Sequence, residues 1–321
     1  MLTSLGDGPA IRDVVRTDRA AYRPFRVTVT RTQRVCPSFL RVTLAGPDLD
    51  LFGRDGLDQR VKIVFPLPDG SLCDLDAPEV VEDGTWYERW RALPEARRNP
   101  FRTYTVRRVR HAARELDIDL VVHGGTGPAA RWLEAVRPGD EVVVIGPDAR
   151  SIHSHIGIDF RPGPARRLLL AGDETAAPAI CAILEALPED RAAQAFIEVP
   201  DPDDRFALDL PPTARVDWLP RSGAPVGARL VPAVTAWAQD AGDLLQAAAA
   251  PAPQPFADVD VDRELLWESP AAPPDEAFYA WLAGEAGVIK DLRRLLVRGH
   301  GVDRSRVAFM GYWRLGRAEL S

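Results

Sequence analysis

Arg102-Thr103-Tyr104-Thr105-Val106-Arg107-Arg108 is the stretch whose reading decides the fold. As a strand it places Arg102, Tyr104, Val106 and Arg108 on one side and Thr103, Thr105 and Arg107 on the other. Its β-branched and aromatic residues favour that conformation. One side then carries a guanidinium and an aromatic ring two positions apart, with a hydroxyl between them in sequence. A flavin dinucleotide takes those parts: a cation for its pyrophosphate, a ring against the isoalloxazine and a hydroxyl for its polar edge. An amphipathic edge strand with solvated arginines accounts for the same pattern.

Working outward, the flanking segments share the period of two. Phe25, Val27 and Val29 alternate with Arg26, Thr28 and Thr30, and Leu40, Val42 and Leu44 with Arg41 and Thr43. Val61 to Phe65, Leu116 to His123 and Glu141 to Ile145 complete the set, with turns at Ala45-Gly46-Pro47, Pro68-Asp69-Gly70 and Arg137-Pro138-Gly139-Asp140. Short strands separated by turn signals predict an antiparallel β-barrel. The segment His123-Gly124-Gly125-Thr126-Gly127-Pro128-Ala129-Ala130-Arg131-Trp132 leads into a helix, with Pro128 near its start and Thr126 as a cap. A glycine-rich entry to a helix N-terminus suits phosphate, because free N–H groups and the dipole point outward. A plain turn into a surface helix reads the same way.

Beyond Arg161–Arg166, a Pro/Gly-rich linker, the pattern changes to strand–helix alternation. Leu168 to Ala171, Ala195 to Val199, Val216 to Leu219, Tyr279 to Ala283 and Val307 to Met310 read as strands, and Pro178 to Leu187 and Val288 to Val297 as helices. That alternation predicts a Rossmann-like parallel sheet with helices on both faces. The Ala/Pro-rich segments Ala247–Pro255 and Ala271–Pro274 read as connecting loop. The fold class is thus an N-terminal antiparallel β-barrel followed by a C-terminal α/β parallel sheet. The divisions are an arm at 1–22, the barrel at 23–160, the linker at 161–166 and the α/β domain at 167–321.

The 321-residue chain, 46% hydrophobic, is long enough for two cores. No apolar run reaches the roughly 20 residues of a membrane span. Early Gly6, Asp7, Gly8 and Pro9 break any signal-peptide core. Three widely spaced cysteines, Cys36, Cys73 and Cys181, argue for a reducing, cytoplasmic setting and against an iron–sulfur cluster. A net charge of −7 argues against nucleic-acid binding. His153-Ser154-His155 lacks a third ligand at sensible spacing, and neither a Gly-x-Ser-x-Gly elbow nor a Walker loop is present.

Several motifs recur in one order. Arg102-x-Tyr104-Thr105 resembles the flavin motif of the ferredoxin–NADP reductase superfamily. Ala171-Gly172-Asp173-Glu174-Thr175-Ala176-Ala177-Pro178-Ala179-Ile180, Ala283-Gly284-Glu285 and Gly311-Tyr312-Trp313-Arg314 narrow the likeness. Together, from about Phe25 to Arg317, they resemble the siderophore-interacting protein family, also called ferric-siderophore reductases.

The resemblance implies an FAD-dependent reductase that carries electrons from NAD(P)H through FAD to ferric siderophores, releasing Fe(II). It places FAD at Arg102, Thr103, Tyr104, Thr105, His123, Gly127, Pro128, Ala129, Ala130 and Trp132, where Ala130 replaces the serine usual in relatives. Asp173, Thr175, Ala176, Gly284 and Trp313 are expected to line the flavin and nicotinamide region. Thr105 and Glu285 are the candidate catalytic residues, and Glu285 is equally a helix cap. Lys62, Arg131 and Arg314 are candidate cations for an anionic iron chelate, with solvated surface charge as their other reading. Arg221 and Ser222 are a candidate contact for a 2′-phosphate. Two rivals stand beside this reading: a flavoprotein of the same fold fed by ferredoxin, and a non-enzymatic siderophore-binding module.

Overall fold

The computed structural model describes residues 14–53, 55–122, 127–254, 261, 264 and 266–316. It divides into two units, one running through Ile158 and the other beginning at Asp159. In the first unit the alternating segments pair as β1 (Tyr22–Cys36), β2 (Phe39–Ala45), β3 (Arg60–Val64), β4 (Phe101–Arg110), β5 (Glu115–Val121) and β6 (Glu141–Pro147). They close a barrel in the order β1-β2-β5-β4-β3-β6, with every pairing antiparallel. The inward set includes Phe25, Val27, Val29, Val42, Leu44, Val61, Ile63, Leu116, Ile118 and Val144. Closure leaves no unpaired strand edge, so register is held by the apolar alternation alone.

Alternation in the decisive strand holds only as far as Val106. A bulge between Val106 and Arg108 inserts Arg107, which is buried and lies 3.5 Å from Asp119. Arg108 therefore pairs with Asp117 on the side of Thr103 and Thr105, not with Tyr104 as strict alternation predicts. The β3–β4 connection holds α1 (Pro78–Asp83) and α2 (Trp86–Ala92), too short for their periodicity to show in the sequence. They lie beside a second apolar cluster containing Val64, Leu75, Trp90, Phe101, Val143 and Ile145. Between β5 and β6, α3 (Pro128–Ala135) packs Leu133, Trp132 and Ala129 against the barrel core.

The second unit contains β7 (Arg167–Gly172), α4 (Ala177–Glu185), β8 (Ala192–Val199), β9 (Ala214–Pro220), α5 (Leu230–Asp240), α6 (Gly242–Ala247), β10 (Trp267–Glu268), β11 (Tyr279–Glu285), α7 (Ala286–Arg293) and β12 (Val307–Trp313). The sheet order is β10-β12-β11-β7-β8-β9, parallel except for β10, an antiparallel edge strand absent from the sequence expectation. The predicted helix Val288–Val297 is instead α7 followed by a π-helical turn at Arg294–Gly299. Tyr312 and Trp313 lie inside β12, not beyond it. Strand order reverses around β7, whose neighbours are β8 and β11. The loops after β7 and β11 therefore emerge side by side at the carboxyl edge, the usual ligand edge of such sheets.

Candidate functional site

In the barrel unit, register fixes the first group of residues. Arg102 pairs with Ile63 and Tyr104 with Val61, so both share the inward side of β4 near the α3 end of the barrel. Arg102 is half-buried, and its Nη1 donates to the Phe101 carbonyl at 2.7 Å, which orients the guanidinium. The Tyr104 ring meets Phe65 edge-on at 6.3 Å, and Phe65 meets Trp132 of α3 at 5.2 Å. Phe65 thus locks the motif strand to the helix. The helix N-cap is Gly127, with Pro128 in the first turn, and among the described residues no side chain caps it. A helix N-terminus joined through ring contacts to Tyr104, on the strand face shared with Arg102, is a donor set that fits a dinucleotide pyrophosphate. His123 and the expected cap Thr126 lie outside the described residues.

The other predicted residues of this unit surround that group. Thr105 is buried opposite Arg60. Thr103 accepts a hydrogen bond from Lys62 Nζ at 3.3 Å, and the same ammonium lies 5.0 Å above the Phe101 ring. Lys62 is therefore a cation held over an aromatic face on the outer side of the barrel, in partial contact with solvent. Ala129 and Ala130 occupy the first turn of α3 and are half-buried, and Arg131 is exposed.

In the sheet unit the predicted residues converge on Asp173. Its Oδ1 accepts from the Thr175 amide at 2.9 Å and the Thr175 hydroxyl at 2.5 Å. Its Oδ2 accepts from the Glu285 amide at 2.7 Å and from Trp313 Nε1 at 2.8 Å. One carboxyl group thus joins the ends of β7, β11 and β12. Burial, reinforced by neighbouring Glu174, pushes its pKa up to about 6, against the opposing pull of its donors. Two glycines allow this approach. A Cβ on Gly172 would lie 2.3 Å from the Ala283 carbonyl oxygen, and one on Gly284, at φ +149°, would lie 2.6 Å from Asp173 Oδ2.

Glu285 is the N-cap of α7: its Oε2 accepts from the Val288 amide at 2.9 Å and its Oε1 from the Leu315 amide at 3.3 Å. The capping alternative of the sequence reading thus accounts for its carboxylate. Ala176 is fully buried, and Arg314 is half-buried just past β12. Arg221 grips Glu174 through Nη1 and Nη2 at 2.6 and 2.8 Å and approaches Glu198 at 3.5 Å. That pairing gives Arg221 an internal carboxylate partner beside its expected role at a 2′-phosphate.

Glu198 itself was missed. It is fully buried, and its carboxylate accepts from the amides of Gly227, Arg229 and Leu230 at 2.7, 2.8 and 3.1 Å, capping α5. The signal for it was an acid near the end of the apolar run Phe196-Ile197-Glu198-Val199. Glu198→Ala should lower unfolding stability by about 2 kcal/mol through loss of the cap. Urea denaturation checks this, and an unchanged midpoint would show that water replaces the carboxylate at no loss.

Two family models match the chain: "Siderophore-interacting FAD-binding domain" at residues 28–151 and "Siderophore-interacting protein" at residues 165–316. The chain is 29% identical to the ferric vibriobactin reductase ViuB of Vibrio cholerae, over 92% of this chain and 91% of that protein. It is 27% identical to an NADPH-dependent ferric-chelate reductase of Escherichia coli, over 89% and 91%. Among solved structures it resembles a siderophore utilization protein from T. fusca with a TM-score of 0.66 and 29% identity, covering 95% of this chain and 98% of that one.

Proposed function

Because the chain belongs to the siderophore-interacting protein family, we propose that it is an FAD-dependent reductase of ferric siderophores, with NADPH or NADH as the source of electrons. The observation that carries this reading is the joining of Arg102-x-Tyr104-Thr105 to the start of α3 through Phe65. When bound, FAD supplies a group that accepts two electrons as hydride and releases them singly. One NAD(P)H thereby reduces two Fe(III) to two Fe(II) and yields NAD(P)+ and one proton. Oxygen-donor chelators hold the harder Fe(III) more tightly, so reduction loosens the metal.

The chain's own residues bind and orient. Arg102 and the amides of the first turn of α3 neutralise the cofactor's diphosphate. The Tyr104 ring supplies a flat apolar face, and the Thr105 hydroxyl a polar partner for the flavin edge. Ala130 contributes no hydroxyl, which leaves more of the phosphate affinity to Arg102. Lys62 and Arg131 in the barrel unit, and Arg314 in the sheet unit, attract an anionic chelate to a chain of net charge −7.

The visible spectrum of the purified protein, recorded before and after NADPH and then a ferric chelate, tests the reading. A flavin band that bleaches with nucleotide and returns with Fe(III) is the expected result. Protein that stays colourless after FAD reconstitution would overturn it. Lys62→Gln should raise KM about threefold for an anionic ferric catecholate and leave a near-neutral ferric hydroxamate unaffected, with the difference fading in salt. Equal effects on both chelates would remove Lys62 from substrate capture.

A further inference from the structure

Among the described residues three helices begin at the carboxyl edge of the parallel sheet: α4 after β7, α5 after β9 and α7 after β11. In dinucleotide-binding sheets the pyrophosphate sits on such helix starts, against free N–H groups and the positive dipole end. In this chain an acid is already built into each of them. At α4, Asp173 takes the Thr175 amide on its side chain and the Ala176 and Ala177 amides on its carbonyl at 3.0 and 3.1 Å, and Pro178 has no N–H. At α5, Glu198 takes three amides, the Val231 amide turns back to the Gly227 carbonyl at 3.1 Å, and Pro232 follows. At α7, Glu285 takes the Val288 amide. Glu174 adds a fourth carboxylate, and Arg221 is bonded to it within the network. The start of α3 in the barrel unit is the contrast, since among the described residues no acid is bonded to it.

We infer that this unit takes its nicotinamide donor without a helix-borne pyrophosphate site, so that the ADP-ribose half of the nucleotide contributes almost nothing to affinity. A diphosphate brought to any of these three helix starts would meet a carboxylate where it needs a donor, and like charges in contact there disfavour it by Coulomb repulsion. The dipole of each helix is already neutralised by its own acid. Recognition then falls to the nicotinamide ribose half, whose neutral ring makes no demand on the helix starts. This inference rests on the proposed use of NAD(P)H, and its test separates the two.

The test uses FAD-loaded protein, so that the flavin site is filled. Calorimetric titration with ADP-ribose should show no saturation below the millimolar range, where binding is worth only about 4 kcal/mol. Stopped-flow reduction of the flavin should give saturation constants for NADH and reduced nicotinamide mononucleotide within about threefold of each other, a difference under roughly 1 kcal/mol. Micromolar binding of ADP-ribose, or NADH tighter than the mononucleotide by about a hundredfold, would overturn the inference. A flavin that neither reductant bleaches would count against the nicotinamide donor, whereas a flavin that is bleached while ADP-ribose binds in the micromolar range would overturn the inference alone.

Discussion

Arg102→Ala should emerge from purification without its flavin, folded but colourless. The guanidinium is aimed by its bond to the Phe101 carbonyl at 2.7 Å and lies on the strand face shared with Tyr104. A guanidinium–phosphate contact is charge-assisted and commonly bidentate, and each such bond is worth about 1.5–3 kcal/mol. Losing two of them weakens binding by roughly 10²–10⁴-fold. The amides of α3 alone then face the diphosphate, without help from a hydroxyl at Ala130. Fluorescence titration of apoprotein with FAD measures the change, and circular dichroism shows that the barrel is intact. Tyr104→Ala should act differently. It removes a stacking face and loosens Phe65, so the bound flavin should keep its phosphate anchor while its absorption bands shift. If Arg102→Ala binds FAD with the affinity of the parent chain, the flavin does not sit on this strand.

The barrel was legible because period-two alternation in β1, β2 and β5 is a direct consequence of one face meeting the core and one meeting water. The bulge at Arg107 was not, because a single inserted residue leaves a sequence that still reads as alternating; only the burial of Arg107 against Asp119 reveals it. Helices α1 and α2 were hidden for a related reason, since six or seven residues give too few turns for a period to register. Of the candidate site, the residues proposed for the flavin stand out as a motif, but the role of Phe65 in joining β4 to α3 depends on distances no motif carries. The acids at the sheet edge were visible as residues and ambiguous as chemistry. A carboxylate at a helix start can meet a ligand or cap the helix, and the two look alike until its hydrogen-bond partners are counted. For Asp173, Glu198 and Glu285 the partners are internal.

Asp173→Ala should strongly destabilise the sheet edge. It leaves the buried Glu285 amide and the part-buried Thr175 amide and Trp313 indole N–H without the carboxyl oxygens they bond. At about 1–3 kcal/mol for each unsatisfied buried donor, with partial relaxation, the loss should be roughly 3–5 kcal/mol in urea denaturation. Asp173→Asn should behave quite differently. With its amide nitrogen turned toward the Thr175 hydroxyl, its oxygen still serves Glu285 and Trp313, and only the Thr175 amide loses its acceptor. The pH dependence separates the carboxyl from its isostere. In the folded chain burial and Glu174 raise the Asp173 pKa to about 6, above the usual carboxylate range. A raised folded pKa means that the group's contribution to stability is fully present below the unfolded value and is lost as pH rises through the folded one. The parent chain should therefore lose stability relative to Asp173→Asn between about pH 4 and pH 7, because the amide does not titrate in that window. Paired denaturation curves across that range measure the difference directly. An Asp173→Ala protein as stable as the parent would show that the three loops hold together without this carboxyl. A parent-minus-Asn difference that stays flat from pH 4 to pH 7 would show that Asp173 is ionised throughout, with its four donors outweighing its burial.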